Sequence, residues 1–185
     1  GSHNDIVCFS FHPVKNLAMP SGGVISINGK NTKKLKNTLK SRRWVGISNR
    51  KGPKYDVTDI GWNYYMNEFS SVIGIEQLKK LEQTNSKRKY IAKRYSQELK
   101  INKKIPFTKD CSYHLFWIAV NNQNEFMKKM LENNIETGIH YLPIHKMKYY
   151  NSKIKLKITE DMTKKIVSLP IHPNLKKTIL QILIF

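Results

Sequence analysis

DIVCFSFHPVKN, residues 5–16, carries a run of β-forming residues into a proline turn and ends on Lys15 beside Asn16. Alternation over Asp5–Phe11 predicts a strand. Ser21-Gly22-Gly23 reads as a turn and Val24–Ile27 (VISI) as a second strand, giving a β-loop-β unit with Lys15 in the connection. A strand end fixes the backbone, and Pro13 restricts the turn beyond it. A lysine held there and partly desolvated can attack a carbonyl as a neutral amine and form a Schiff base. It can equally be one more solvated lysine, and spacing alone leaves both readings open.

The chain beyond this unit is mostly helical at first. Thr32–Arg43 has helical propensity and predicts a surface helix with Leu35 and Leu39 turned inward, and ISNRKGPKYD (47–56) reads as a loop on its glycine and proline. Asn67 reads as a helix N-cap. Phe69, Val72, Ile73, Ile75 and Leu78 then recur at helical spacing, and the helix runs on through Leu81, Tyr90, Ile91, Tyr95 and Leu99, with room for one break. YHLFWIAV (113–120) predicts a strand, NEFMKKMLENN (124–134) a helix and IETGIHY (135–141) a strand. TEDMTKKIVSL (159–169) predicts a short helix capped by Thr159, and the closing TILQILIF (178–185) a buried helix or strand. Helix and strand alternate in the second half, which indicates an α/β layer. The expected organisation is residues 1–83 as an incomplete larger domain and 84–185 as a small α/β domain.

At 185 residues the chain can bury a substantial core. It has no apolar run of the roughly 20 residues that a membrane-spanning helix needs, and Gly1 opens a polar stretch unlike an apolar leader. Cys8 and Cys111 lie far apart and are expected to be reduced and buried, which suits the cytosol. A formal charge of +20 invites a nucleic-acid or anionic-surface reading. Against it, only five of the 33 basic residues are arginine, the favoured reader of phosphate and guanine, and the lysines beyond Lys15 spread from Lys30 to Lys177. This distribution reads as a compositional bias.

Other residues suit a bound ligand. Ser10, five positions before Lys15, and Gly22-Gly23 suit a phosphate group, the serine as a hydroxyl donor and the glycines by allowing close backbone approach. His140, Tyr141 and His145 gather polar aromatic groups around Pro143. No nearby carboxylate or cysteine completes a metal site, so a ligand-contacting loop is the better expectation and a structural turn the alternative.

Five blocks in order, SFHPVKN, GG, IGWNYYMNEFSSVIGIEQLKKL, GIHYLPIHKMKYY and LPIHPNL, resemble the DegT/DnrJ/EryC1/StrS sugar aminotransferases, which are fold-type I pyridoxal-phosphate enzymes. The resemblance implies that Lys15 holds pyridoxal 5'-phosphate covalently. It also implies that Ser10 binds the cofactor phosphate, and that Asn63 reaches that phosphate in the neighbouring subunit of a homodimer with shared active sites. His140 and Tyr141 would lie near the nucleotide-sugar substrate, with glutamate as the expected amino donor. The fold implied is the end of a fold-type I large domain followed by a small C-terminal α/β domain. Dehydrating members of the family lack the lysine, so Lys15 favours aminotransfer.

Two positions depart from the pattern. Tyr65 stands where the family commonly has arginine, and Val45 where it often has histidine. The family's phosphate loop, the ring that stacks on the cofactor and the aspartate that keeps the pyridine nitrogen protonated as an electron sink have no counterpart here. The chain therefore reads as a C-terminal portion of the enzyme. The competing expectation is a lysine-rich binder of nucleic acid or anionic surfaces; the enzyme reading expects neither nucleic acid nor membrane as a partner.

Overall fold

The computed structural model describes residues 6–29, 32–150 and 152–175. The closing stretch read as a helix or strand lies outside them. The chain divides into two compact units, Gly1–Leu81 and Glu82–Phe185.

In the first unit β1 (Ile6–Ser10) pairs antiparallel with β2 (Gly23–Ile27), Cys8 opposite Ile25 and Ser10 opposite Gly23. Helix α1 spans Lys33–Arg43, with Leu35 and Leu39 half-buried and Ser41 buried. The stretch read as a loop is a hairpin instead: β3 (Ile47–Lys51) pairs with β4 (Lys54–Val57), with a register irregularity between Ser48 and Lys51. Gly52 and Pro53, taken as chain-breaking punctuation, form its two-residue turn. Gly52 sits at φ +60, the left-handed region that such short hairpins demand. Cys8 is exposed and Cys111 half-buried, so the expectation that both are buried does not hold; both are free thiols.

Helix α2 (Glu68–Glu98) is continuous over 31 residues, without the break that was allowed for. Asn67 caps it, its Oδ1 accepting the Ser70 backbone N–H at 2.8 Å. In the first unit the packed face is not the apolar one. Ser70 and Gly74 are buried, and a Cβ on Gly74 would stand 2.7 Å from the Met19 sulfur. Phe69, Val72, Ile73, Ile75 and Leu78 are exposed, Phe69 by 86%. Their periodicity correctly marks an apolar face of the helix, but none of the described residues of this unit covers it.

The second unit holds the chain's main core. Ile91, Ala92 and Tyr95 on one face of α2, with Leu99 just past its end, bury against Tyr113, Phe116, Ile118, Ile135, Val167, Leu169 and Ile171. Tyr90, expected on that face, is exposed. β5 (Phe116–Ala119) pairs antiparallel with β6 (Ile166–Leu169), Phe116 opposite Leu169. Between them lie α3 (Gln123–Glu132), capped by the Asn122 side chain, and α4 (Lys157–Thr163). Two local expectations fail. IETGIHY contributes only the isolated Gly138–Ser168 bridge, and IVSL leaves the helix to become β6. Isoleucine and valine fit a strand buried at the core better than the end of a helix. Thr159 does not cap α4, which begins two residues earlier after Leu156. Among the described residues, no helix is long and apolar enough to cross a membrane.

Candidate active site

Ser10 closes β1, and the chain leaves the strand through a tight turn. Lys15 donates its backbone N–H to the His12 carbonyl at 2.8 Å, which places Pro13 at the first central position of a β-turn, where its fixed φ suits the geometry. The connection is laced back onto the hairpin: Phe11 N–H donates to Gly22 O at 3.0 Å and Met19 N–H to Phe11 O at 2.8 Å. Ser10 Oγ accepts the His12 N–H at 3.3 Å, and Ser10 is exposed. Lys15 is half-buried and has no ion-pair partner among the described residues. Gly23 has no room for a side chain, since a Cβ would stand 2.7 Å from the Phe9 carbonyl oxygen. Lys15 and Ser10 thus leave one strand end on a backbone fixed by hydrogen bonds.

Asn63 is held separately. Residues 61–64 are zipped to the end of α1: Trp62 N–H donates to Arg42 O at 2.8 Å, Tyr64 N–H to Arg43 O at 3.0 Å, and Val45 N–H to Trp62 O at 3.1 Å. The contact is close enough to require glycine. A Cβ on Gly46 (φ +78) would lie 1.9 Å from Asp59 O, and one on Gly61 would lie 2.1 Å from Gly46 N. The Arg42 guanidinium pairs with Asp59 at 2.6 Å, and its hydrogen bond holds the Asp59 carboxyl below the usual carboxylate range. We predict that Gly61→Ala lowers stability by about 1–3 kcal/mol through overpacking at this junction. Denaturant unfolding at unchanged m-value measures it, and an unshifted midpoint would refute the close packing.

An open cleft of about 1320 Å³ is lined by Gly22 and Gly23 from the hairpin, by Lys36 and Arg43 from α1, and by Asn63 and Tyr65. Ser10 and Lys15 are not among its lining residues. Arg43 lies 5.5 Å from the centre of the Tyr65 ring, and Trp44 meets that ring edge-on at 4.8 Å. Tyr65, the departure from the expected arginine, therefore has a guanidinium beside it from α1. No local pattern signals this pairing, because the two residues are 22 positions apart.

The histidine cluster separates into two environments. His140 Nδ1 lies 2.9 Å from the hydroxyl of buried Ser168 on β6. Tyr141 beside it is exposed by 65%. His145 is drawn inward, its side chain 10% exposed, and its Nε2 lies 3.0 Å from Glu160 Oε1. Among the described residues no group of acid, cysteine and histidine side chains could hold a metal.

The sequence profile of the DegT/DnrJ/EryC1/StrS aminotransferase family matches residues 1–183. The chain is 30% identical over 188 residues to a Campylobacter jejuni UDP-4-amino-4,6-dideoxy-N-acetyl-beta-L-altrosamine transaminase, covering 95% of this chain and 49% of that protein. Among solved structures it resembles Helicobacter pylori PseC, an aminotransferase of pseudoaminic acid biosynthesis, with TM-score 0.86 and 29% identity over 99% of this chain and 52% of that one. A DegT/DnrJ/EryC1/StrS aminotransferase from Brucella abortus gives TM-score 0.85 at 26% identity, covering 100% of this chain and 50% of that one. The chain spans about half the length of these relatives. Over that span, mixed helix and sheet in the arrangement of the sugar aminotransferases, it belongs to the DegT/DnrJ/EryC1/StrS aminotransferase family.

Proposed function

We propose that the complete enzyme is a pyridoxal-phosphate aminotransferase that moves an amino group, from glutamate, onto a keto-sugar nucleotide in the cytoplasm. This chain supplies its C-terminal portion: the end of the large domain through residue 83 and the small domain from 84 to 185. The observation that carries the reading is that Lys15 follows Ser10 out of one strand end, on a backbone locked by the His12–Lys15 turn. The nucleotide sugar named for the Campylobacter relative supports the substrate class.

The residues fit pyridoxal phosphate. Lys15 offers a primary amine without a carboxylate partner among the described residues, as an aldehyde requires. Ser10 offers an exposed hydroxyl that can donate to a phosphate oxygen. When bound, the cofactor supplies an aldehyde for amine exchange and a ring that accepts an electron pair. Lys15 Nζ then holds a proton and moves it between two carbons, and the rigid turn keeps that amine in register with both. Ser10 anchors and orients the phosphate end. His140 and Tyr141 contact the sugar nucleotide.

Asn63 lines a cleft that excludes Ser10 and Lys15. This supports its reaching the cofactor phosphate of a neighbouring subunit, in a homodimer whose isologous pairing builds two shared sites. The exposed strip Phe69–Leu78 supports burial in the complete assembly. Mixing a Lys15→Ala chain with an Asn63→Ala chain of the complete enzyme tests the shared site. Glutamate-dependent amination of a nucleotide keto-sugar should reappear, because a mixed dimer regains one intact site. A mixture as inactive as either parent would refute the shared site.

A further inference from the structure

The segment from His140 to Tyr150 carries one 3-10 turn, Ile144–Lys146, and is otherwise irregular. Most of it faces solvent: Tyr141, Leu142, Ile144, Tyr149 and Tyr150 are all exposed. Two side chains fasten it. His140 is tied to Ser168, a buried residue of β6 whose backbone also bridges Gly138 in both directions. His145 is tied to Glu160 on α4.

Glu160 is the more heavily used anchor. Its Oε1 receives the His145 ring nitrogen at 3.0 Å and the Leu156 backbone N–H at 3.0 Å, and its Oε2 lies 3.3 Å from Lys146 Nζ. One carboxylate thus binds two consecutive loop residues and satisfies an otherwise orphaned N–H at the start of α4. Because a carboxylate only accepts, His145 presents Nε2–H to it. The hydrogen bond from His145, then that from Leu156, pulls the Glu160 carboxyl down to about 2. The anchor therefore stays ionised through the neutral range, and its contribution fades only as pH falls below the ordinary glutamate range toward 2. Glu160 and Asp161 are the sole acids between His140 and Leu175, in a stretch rich in lysine.

We propose that Glu160 is a positioning residue for substrate: by pinning His145 and Lys146 while Ser168 pins His140, it fixes the span Tyr141–Ile144 and so the placement of Tyr141. This rests on the reading of Tyr141 as a contact of the sugar nucleotide. His145, expected to touch ligand, acts instead as the loop's fastener. A loop tied at both ends presents Tyr141 in one arrangement and does not leave that ordering to be done on binding.

The test uses the complete enzyme with cofactor, comparing wild type, Glu160→Ala and Glu160→Gln by two readouts. Hydrogen exchange in peptides covering 141–150 should quicken in Glu160→Ala, while peptides covering β5 stay protected. The KM for the nucleotide keto-sugar should rise roughly tenfold, with kcat changed far less. Glu160→Gln, whose amide oxygen still accepts from Leu156 N–H, should recover part of both. Unchanged exchange in 141–150 would overturn the fastening. Faster exchange with an unchanged KM, or a loss confined to kcat, would overturn the positioning role and leave a structural one. A wild type that aminates no nucleotide keto-sugar would instead overturn the aminotransferase reading on which the proposal rests, and the exchange result distinguishes the two failures.

Discussion

Replacing Lys15 with alanine in the complete enzyme should reduce amination of the nucleotide sugar by at least about 10²–10⁴-fold, the range expected from losing a positioned proton carrier alone. The variant should fold normally. Lys15 forms no ion pair among the described residues, and its turn is closed by its backbone N–H on His12 O, which alanine retains. Arginine should not rescue it, because a guanidinium stays protonated and cannot act as a neutral amine. Steady-state assay beside far-UV circular dichroism checks both halves of the statement. An active Lys15→Ala enzyme would mean that another amine does the chemistry.

The second large effect is on stability. Phe116 is fully buried on β5, its ring centre 5.1 Å from that of Tyr95 and 6.4 Å from that of Tyr113. Phe116→Ala should cost about 3–5 kcal/mol, because the lost transfer energy is compounded by a cavity that strands on one side and helix α2 on the other cannot fill. Tyr95 lines the same space and donates its hydroxyl to the Pro170 carbonyl at 2.8 Å; burial raises its pKa and keeps it protonated. Collapse toward the cavity would have to break that bond. Denaturant unfolding of the complete enzyme, followed by probes in the second unit, should register the loss. A cost below about 1 kcal/mol would mean that the core repacks freely.

What could be read from the residues depended on whether the determining interaction was local. The β1 strand, the Pro13 turn and the Asn67 cap are set by neighbours within four positions, and each appears where its residue types indicate. The face of α2 was harder. Periodicity marked Phe69, Val72 and Leu78 as apolar, but which face packs depends on what stands opposite, and in the first unit Met19 meets the small face at Gly74. Gly52 and Pro53 misled because the same residues end a strand and join two of them. At the candidate site, the strand that Ser10 closes and the turn that carries Lys15 were legible locally, whereas the roles expected of the two residues rest on the family resemblance. Glu160 was not legible, since its partner His145 lies 15 positions away across an irregular loop and no spacing rule links them. Arg43 beside Tyr65 escaped for the same reason.

The central claim is that Lys15 is the amine that holds the cofactor. Its most direct measurement is borohydride reduction of the complete enzyme loaded with pyridoxal phosphate, followed by digestion and mass mapping of the modified lysine. The reduced adduct should fall, near stoichiometrically, on the peptide containing His12-Pro13-Val14-Lys15. A stoichiometric adduct on any other lysine, with Lys15 unmodified, would contradict the assignment.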